Sequence, residues 1–195
     1  MLRRAAAAKP PADRAEEDAL LDAFGLLVQR RGRDRLRLLL VGGVLEGERF
    51  RELQRAMRAR AQALGLGDRI RWSGSWAWDS DRGSRLLRAT DACALPFDGG
   101  AETRHCSIAT VLDHERPLVT TTGPFAAPHF VDGQNALLVP PQDPAALACA
   151  VERLIDDPAL SQKLRQGGAA LARACFSWDA VLGSTLAALR RPPSR

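Results

Sequence analysis

The chain has 195 residues, 46% of them hydrophobic, enough for a compact core, with one domain as the default and two small ones as the alternative. Its formal charge of +5 comes from scattered arginines, and aromatics make up 5% with no tyrosine, which argues against a base-stacking nucleic-acid partner. No apolar run approaches the roughly 20 residues that span a bilayer, so no transmembrane segment is expected and peripheral membrane contact stays open.

Residues 1 to 14 (MLRRAAAAKPPADR) are alanine- and proline-rich and read as a flexible lead-in, too weakly apolar for a signal peptide. Residues 15 to 31 place Ala19, Leu20, Ala23, Phe24, Leu27 and Val28 at helical spacing, closed by Gly32. Residues 36 to 41 (LRLLLV) predict a buried strand that exits through Gly42 and Gly43. A helix over 46 to 64 stops at Gly65. A strand over 70 to 73 turns at Gly74, and a short polar helix covers 79 to 89. A strand over 92 to 95 ends at Pro96, and a loop with Asp98, Gly99 and Gly100 leads to a helix over 106 to 114. Strands over 118 to 121 and 136 to 139 follow, then helices over 144 to 155, 158 to 174 and 178 to 189. Asp143 before Pro144 and Asp157 before Pro158 give each of two helices an acidic cap and a proline at its first position; Ser177 can cap the last.

Strand–helix alternation predicts an α/β fold: a Rossmann-like open parallel sheet, helices on both faces, and a C-terminal helical tail. One unit over 15 to 190 is expected, with 191 to 195 as a tail. Ligands of such sheets sit beyond the carboxyl ends of the strands, which places the site among loops 42–43, 74–78, 96–105 and 121–125. At the helix beginning near Cys106, unpaired amide hydrogens and the positive end of the helix dipole can cradle a phosphate. That points to a phosphorylated, nucleotide-like ligand near Asp98 and Gly99. Arg104 can fork onto phosphate or serve as surface charge, and His105 is a weaker candidate for the same role. Ser107 can cap the helix or donate to phosphate. His114 reads as structural and His129 as surface. Gly43 is a ligand-edge residue or a plain turn glycine.

Among the cysteines, Cys93 and Cys149 fall in apolar runs and read as small core residues. None forms a C-x-x-C pair and no histidine spacing suggests zinc, so reduced thiols, no metal and a cytoplasmic chain are expected.

The ordered set LLDAFGLL, LRLLLVGG, ALGLGDRIRWSG, LLRATDACALPF, HERPLVTTTGP, VDGQNALLVPPQDPAALACAVERLIDDPAL and FSWDAV resembles the C-terminal, donor-binding half of group 1 (family 4) glycosyltransferases. The likeness covers about residues 17 to 187 and implies half of a GT-B fold. It implies a nucleotide-diphosphate sugar as substrate, retaining transfer and no obligatory metal. The acceptor would lie on a second, N-terminal domain, on a separate polypeptide if the enzyme is split. The family's paired glutamates map to Glu102, facing the donor sugar and the one tentative catalytic residue, and to Thr110, where a hydroxyl replaces the ribose-binding acid. The run Arg104, His105, Cys106, Ser107 with His114 is closer to bacterial branches that lack the paired acids. Gly74 and Trp76 lie where the family's backbone meets the base; Trp76 can instead pack under its loop with Trp72 and Trp78. The family's first strand, with its diphosphate-neutralising cations, finds no match in residues 1 to 14, so the chain alone is expected to be incomplete and inactive. The alternative is a non-catalytic remnant, an interaction or nucleotide-binding module that binds a partner through the old cleft or through an uncovered sheet edge.

Overall fold

The computed structural model describes residues 3–8, 14–32, 36–42, 48–77 and 79–190. Six strands form one parallel sheet: β1 (Arg3–Ala8), β2 (Leu36–Val41), β3 (Ile70–Trp72), β4 (Ala92–Leu95), β5 (Leu118–Thr121) and β6 (Leu137–Val139). Their spatial order is β3-β2-β1-β4-β5-β6, every pair parallel. The helices are α1 (Arg14–Arg31), α2 (Glu48–Ala63), α3 (Arg82–Arg88), α4 (Cys106–Asp113), α5 (Pro144–Asp156), α6 (Pro158–Cys175) and α7 (Trp178–Arg190). Among the described residues no helix is long and apolar enough to cross a membrane.

Strand side chains alternate between faces, and that period of two assigns the helices. Leu36, Leu38, Ala92, Ala94, Leu137 and Val139 join a core with α1, α2 and α5. Val41, Cys93 and Leu95 turn to the other face, where Leu87 of α3, Ile108 and Leu112 of α4 and Leu171 of α6 cover them. Both faces are therefore buried, as a parallel sheet requires.

The lead-in expected over residues 1 to 14 is corrected by β1. Arg3–Ala8 is a strand at the centre of the sheet, paired along its length with β2 (Ala5↔Leu38) and with β4 (Ala5↔Ala92, Ala6↔Cys93). Alanine is depleted in strands, so RRAAAA carries no local strand signal; the pairing on both sides decides its conformation. The helical unit also begins one residue early, at Arg14. With β1 in place the first strand is not missing, and the interior of the sheet has no uncovered edge, which removes the ground for the interaction-module alternative. Residues 191 to 195 lie outside the described residues.

The expected caps are present. Asp143 Oδ1 accepts from Ala146 N–H and Asp157 Oδ1 from Leu160 N–H, both at 2.9 Å, and Ser177 Oγ accepts from Ala180 N–H at 3.2 Å. Cys149, expected in the core, is exposed on α5, where Arg30 Nη1 reaches its Sγ at 3.3 Å and Glu152 at 3.0 Å. An apolar run on an amphipathic helix does not say which of its residues faces inward.

Two substitutions test these assignments in urea unfolding. Ala6→Pro, which removes a ladder donor from a central strand, is expected to destabilise by about 3 kcal/mol or more. Asp157→Ala is expected to cost about 1 kcal/mol. A neutral Ala6→Pro would contradict β1.

Candidate functional site

The sheet order reverses between β1 and β4, and the loop leaving β4 is held there by backbone contacts. Phe97 N–H donates to Thr121 Oγ1 at 2.9 Å, and the Thr121 hydroxyl in turn donates to Phe97 O. Ala101 N–H donates to Thr121 O at 3.0 Å, Phe125 N–H to Gly99 O at 3.0 Å and Ala127 N–H to Ala101 O at 2.8 Å. A Cβ at Gly123 would lie 2.5 Å from the Gly99 carbonyl, and one at Gly100 (φ +93°) would lie 2.9 Å from Gly123 N. The loops after β4 and β5 therefore meet backbone to backbone, which only glycine permits.

Asp98 is tied from two directions. Its N–H donates to Glu16 Oε1 at 2.8 Å, from the first turn of α1, and its Oδ2 accepts from Gln142 Nε2 at 2.9 Å. Glu16 is buried. The α1 start and the β4 exit thus share one hydrogen-bonded seam at the reversal.

His105, not Ser107, is the N-cap of α4, and its side chain makes no capping bond. The imidazole instead stacks on Phe97, centroids 3.9 Å apart and planes 12° from parallel, while Nδ1 accepts from Glu102 N–H at 3.2 Å. An accepting Nδ1 puts the ring proton of the neutral form on Nε2. Ser107 is half-buried in the first turn, and Cys106 is exposed.

Arg104 and Glu102 form a two-pronged ion pair: Nε to Oε2 and Nη2 to Oε1, both 2.7 Å. The Arg104 side chain is 73% exposed and that of Glu102 18%. The hydrogen bonds from Arg104 hold the Glu102 carboxyl below its ordinary range, against the opposing effect of desolvation, and Glu102 raises the Arg104 guanidinium in return. The carboxylate also borders Gly99: a Cβ there would lie 3.8 Å from Glu102 Oε1.

Asp98, Gly99, Glu102, Arg104, His105 and Cys106 are thus brought together. Thr110, one turn into α4, is exposed, and its hydroxyl donates to Cys106 O at 2.8 Å, leaving oxygen lone pairs outward. Gly74 (φ +68°) turns the chain after β3 on the far edge of the sheet. Trp76 packs on α3, where a Cβ at Gly83 would meet its Cζ2 at 3.1 Å. Gly43 and Trp78 lie outside the described residues. Ser73 Oγ accepts from Gly42 N–H at 3.0 Å and fastens the β2 exit to that of β3. His114 is structural: its ring meets Thr110 O at 2.8 Å and Ser84 Oγ at 2.6 Å.

Sequence reading missed Glu16, Phe97, Phe125 and Gln142. An acid in the first turn of α1 and an aromatic in a Gly-Pro-Phe turn at the ligand edge were the available signals. Among the described residues, a cavity of about 480 Å³ beside Arg31, Cys149, Glu152 and Leu160 and one of about 190 Å³ beside Glu115, Arg165 and Arg173 lie away from this loop. Among the described residues no three His, Cys, Asp or Glu side chains converge to hold a metal.

The parallel sheet, its order reversed at β1 and helices on both faces, defines a Rossmann-like class of fold. The chain belongs to a family of that class, described as "Glycosyl transferases group 1", whose sequence profile matches residues 11–157. It is 28% identical over 196 aligned residues to the lipopolysaccharide core biosynthesis glycosyltransferase LpsD of Rhizobium meliloti, covering 91% of this chain and 52% of that protein. It is 29% identical over 172 residues to mannosylfructose-phosphate synthase of Agrobacterium fabrum, covering 87% of this chain and 36% of that one. The chain therefore spans about half or less of the length of these relatives. By fold it is similar to a C-terminal domain of a group 1 glycosyl transferase, LpcC from Francisella tularensis (TM-score 0.71, 15% identity, 91% of this chain and 89% of that one). It is also similar to Anabaena HepE in complex with UDP and glucose (TM-score 0.77, 18% identity, 96% and 48%). The architecture is half of a GT-B fold.

Two measurements check the local chemistry. In a carbon-13 titration Glu102 is expected to protonate below the ordinary glutamate range, so its ion pair is intact at neutral pH and lost only as pH falls below that range; Arg104→Gln should raise the midpoint. Burial pushes the Cys93 thiol up to about 12, so iodoacetamide at pH 8 should label exposed Cys106 and Cys149 and spare Cys93 in the folded chain.

Proposed function

We propose that this chain is the donor-binding half of a retaining glycosyltransferase and holds a nucleoside-diphosphate sugar at the β1/β4 reversal. The observation that carries this reading is the meeting, at one strand-order reversal, of the α4 start, the glycine-clamped loop and Arg104. The diphosphate lies against the amides that open α4, with Arg104 as its cation. No step needs a metal: charge on the departing diphosphate is met by the guanidinium and oriented N–H groups. Glu102, beside Gly99, is placed to accept sugar hydroxyls once Arg104 turns to phosphate. Thr110 offers a hydroxyl in the next turn for a ribose.

Membership of the glycosyltransferase group supports the reading, and so does the likeness to HepE, a fold solved with UDP and glucose. Acceptor binding is assigned to a second Rossmann-like unit, in the same polypeptide or in a separate one, in keeping with the 52% share of LpsD that the chain covers.

Calorimetric titration with UDP, GDP, ADP and their sugar esters tests the assignment. At least one pair is expected to saturate, and Arg104→Ala should weaken it by about tenfold or more, the loss of a charge-assisted contact. Absence of binding to every ligand at millimolar concentration would contradict it.

A further inference from the structure

The exposed large apolar side chains among the described residues are five on α7, Val131 and Phe125. Phe125 alone stands at the carboxyl edge beside Gly99, 66% exposed although its backbone is fixed. Its N–H is bonded to Gly99 O at 3.0 Å, and Gly123, two residues before it, is jammed against the same carbonyl. A Cβ at Gly99 would meet Phe125 Cδ2 at 3.2 Å and Glu102 Oε1 at 3.8 Å. The aromatic ring and the carboxylate thus border one point above a residue without a side chain.

An apolar face beside a carboxylate matches the two sides of a pyranose. The ring's C–H groups carry slight positive charge and suit the negative face of an aromatic quadrupole, while its hydroxyls donate to a carboxylate. At 66% exposed, Phe125 keeps most of its surface open to solvent beside Glu102, and a ligand sugar would cover it. Gly99 lets the ring lie close against the loop, because a Cβ there would crowd Phe125 Cδ2 at 3.2 Å.

We propose that Phe125 is the platform on which the donor's sugar ring stacks, a positioning residue that selects a pyranose by its apolar face while Glu102 takes its hydroxyls. This rests on the donor-site reading above and adds to it the residue that distinguishes the sugar ester from the bare nucleotide. Stacking also holds the sugar's anomeric carbon in one orientation relative to the diphosphate. The bare nucleoside diphosphate ends at its phosphates and does not reach the ring.

The test compares the whole chain with Phe125→Ala, Phe125→Leu and Phe125→Trp, titrated with UDP and UDP-glucose, GDP and GDP-mannose, and ADP and ADP-glucose. For the pair that wild type binds, Phe125→Ala and Phe125→Leu should weaken the sugar ester about threefold to tenfold and leave the nucleotide unchanged, and Phe125→Trp should restore the ester. Equal loss for both ligands would reduce Phe125 to a loop-packing residue and overturn the proposal. So would an unchanged ester, or a leucine variant as good as wild type, because bulk without a π-face would then suffice. Failure of wild type to bind any of the six ligands would instead bring down the donor-site reading, and this proposal with it.

Discussion

β1 is hydrogen-bonded to β2 on one side and to β4 on the other, and that double pairing reverses the direction in which the chain winds across the sheet. The connections that leave β1 and β4 go to opposite faces: α1 packs with α2 and α5, α4 with α6. Open α/β sheets take their ligands where such connections part. At that point Gly99, Gly100 and Gly123 let the loops after β4 and β5 touch main chain to main chain, without side chains between them. The bond from Asp98 N–H to Glu16 ties the β4 exit to α1. Remove β1 and these contacts lose their common frame.

The charges at this edge are already engaged with each other. Arg104 is forked onto Glu102, so under the proposed reading an incoming diphosphate would exchange one anion for another and would not meet a bare cation. Under the proposed reading that exchange has a use. The guanidinium follows the phosphates, and the freed carboxylate turns toward the sugar. His105 is held out of the exchange by Phe97 and the Glu102 N–H, with the imidazole stacked and its tautomer set.

Periodicity made much of this legible. The runs at 36–41, 92–95 and 118–121 are apolar enough to read as strands. The Asp-Pro pairs at 143–144 and 157–158 mark helix starts through a chemistry that needs no tertiary context. β1 escaped because its alanines favour no strand by themselves; its neighbours impose the conformation. Arg104 and Glu102 were each legible as candidates, but not as partners, since their fork depends on how the loop between β4 and α4 folds. Ser107 was a reasonable cap by residue type, yet the N-cap is His105, whose ring stacks on Phe97. The contact of Gly123 and Phe125 with Gly99 depends on two loops distant in sequence, so only their shared edge of the sheet was legible.

Hydrogen–deuterium exchange with and without a saturating nucleotide sugar tests the central claim most directly. The account expects slowed exchange concentrated in residues 97–108 and 121–127, the two glycine-clamped loops and the start of α4. Protection confined to α5 and α6 around Cys149, or none at the β1/β4 reversal, would contradict it.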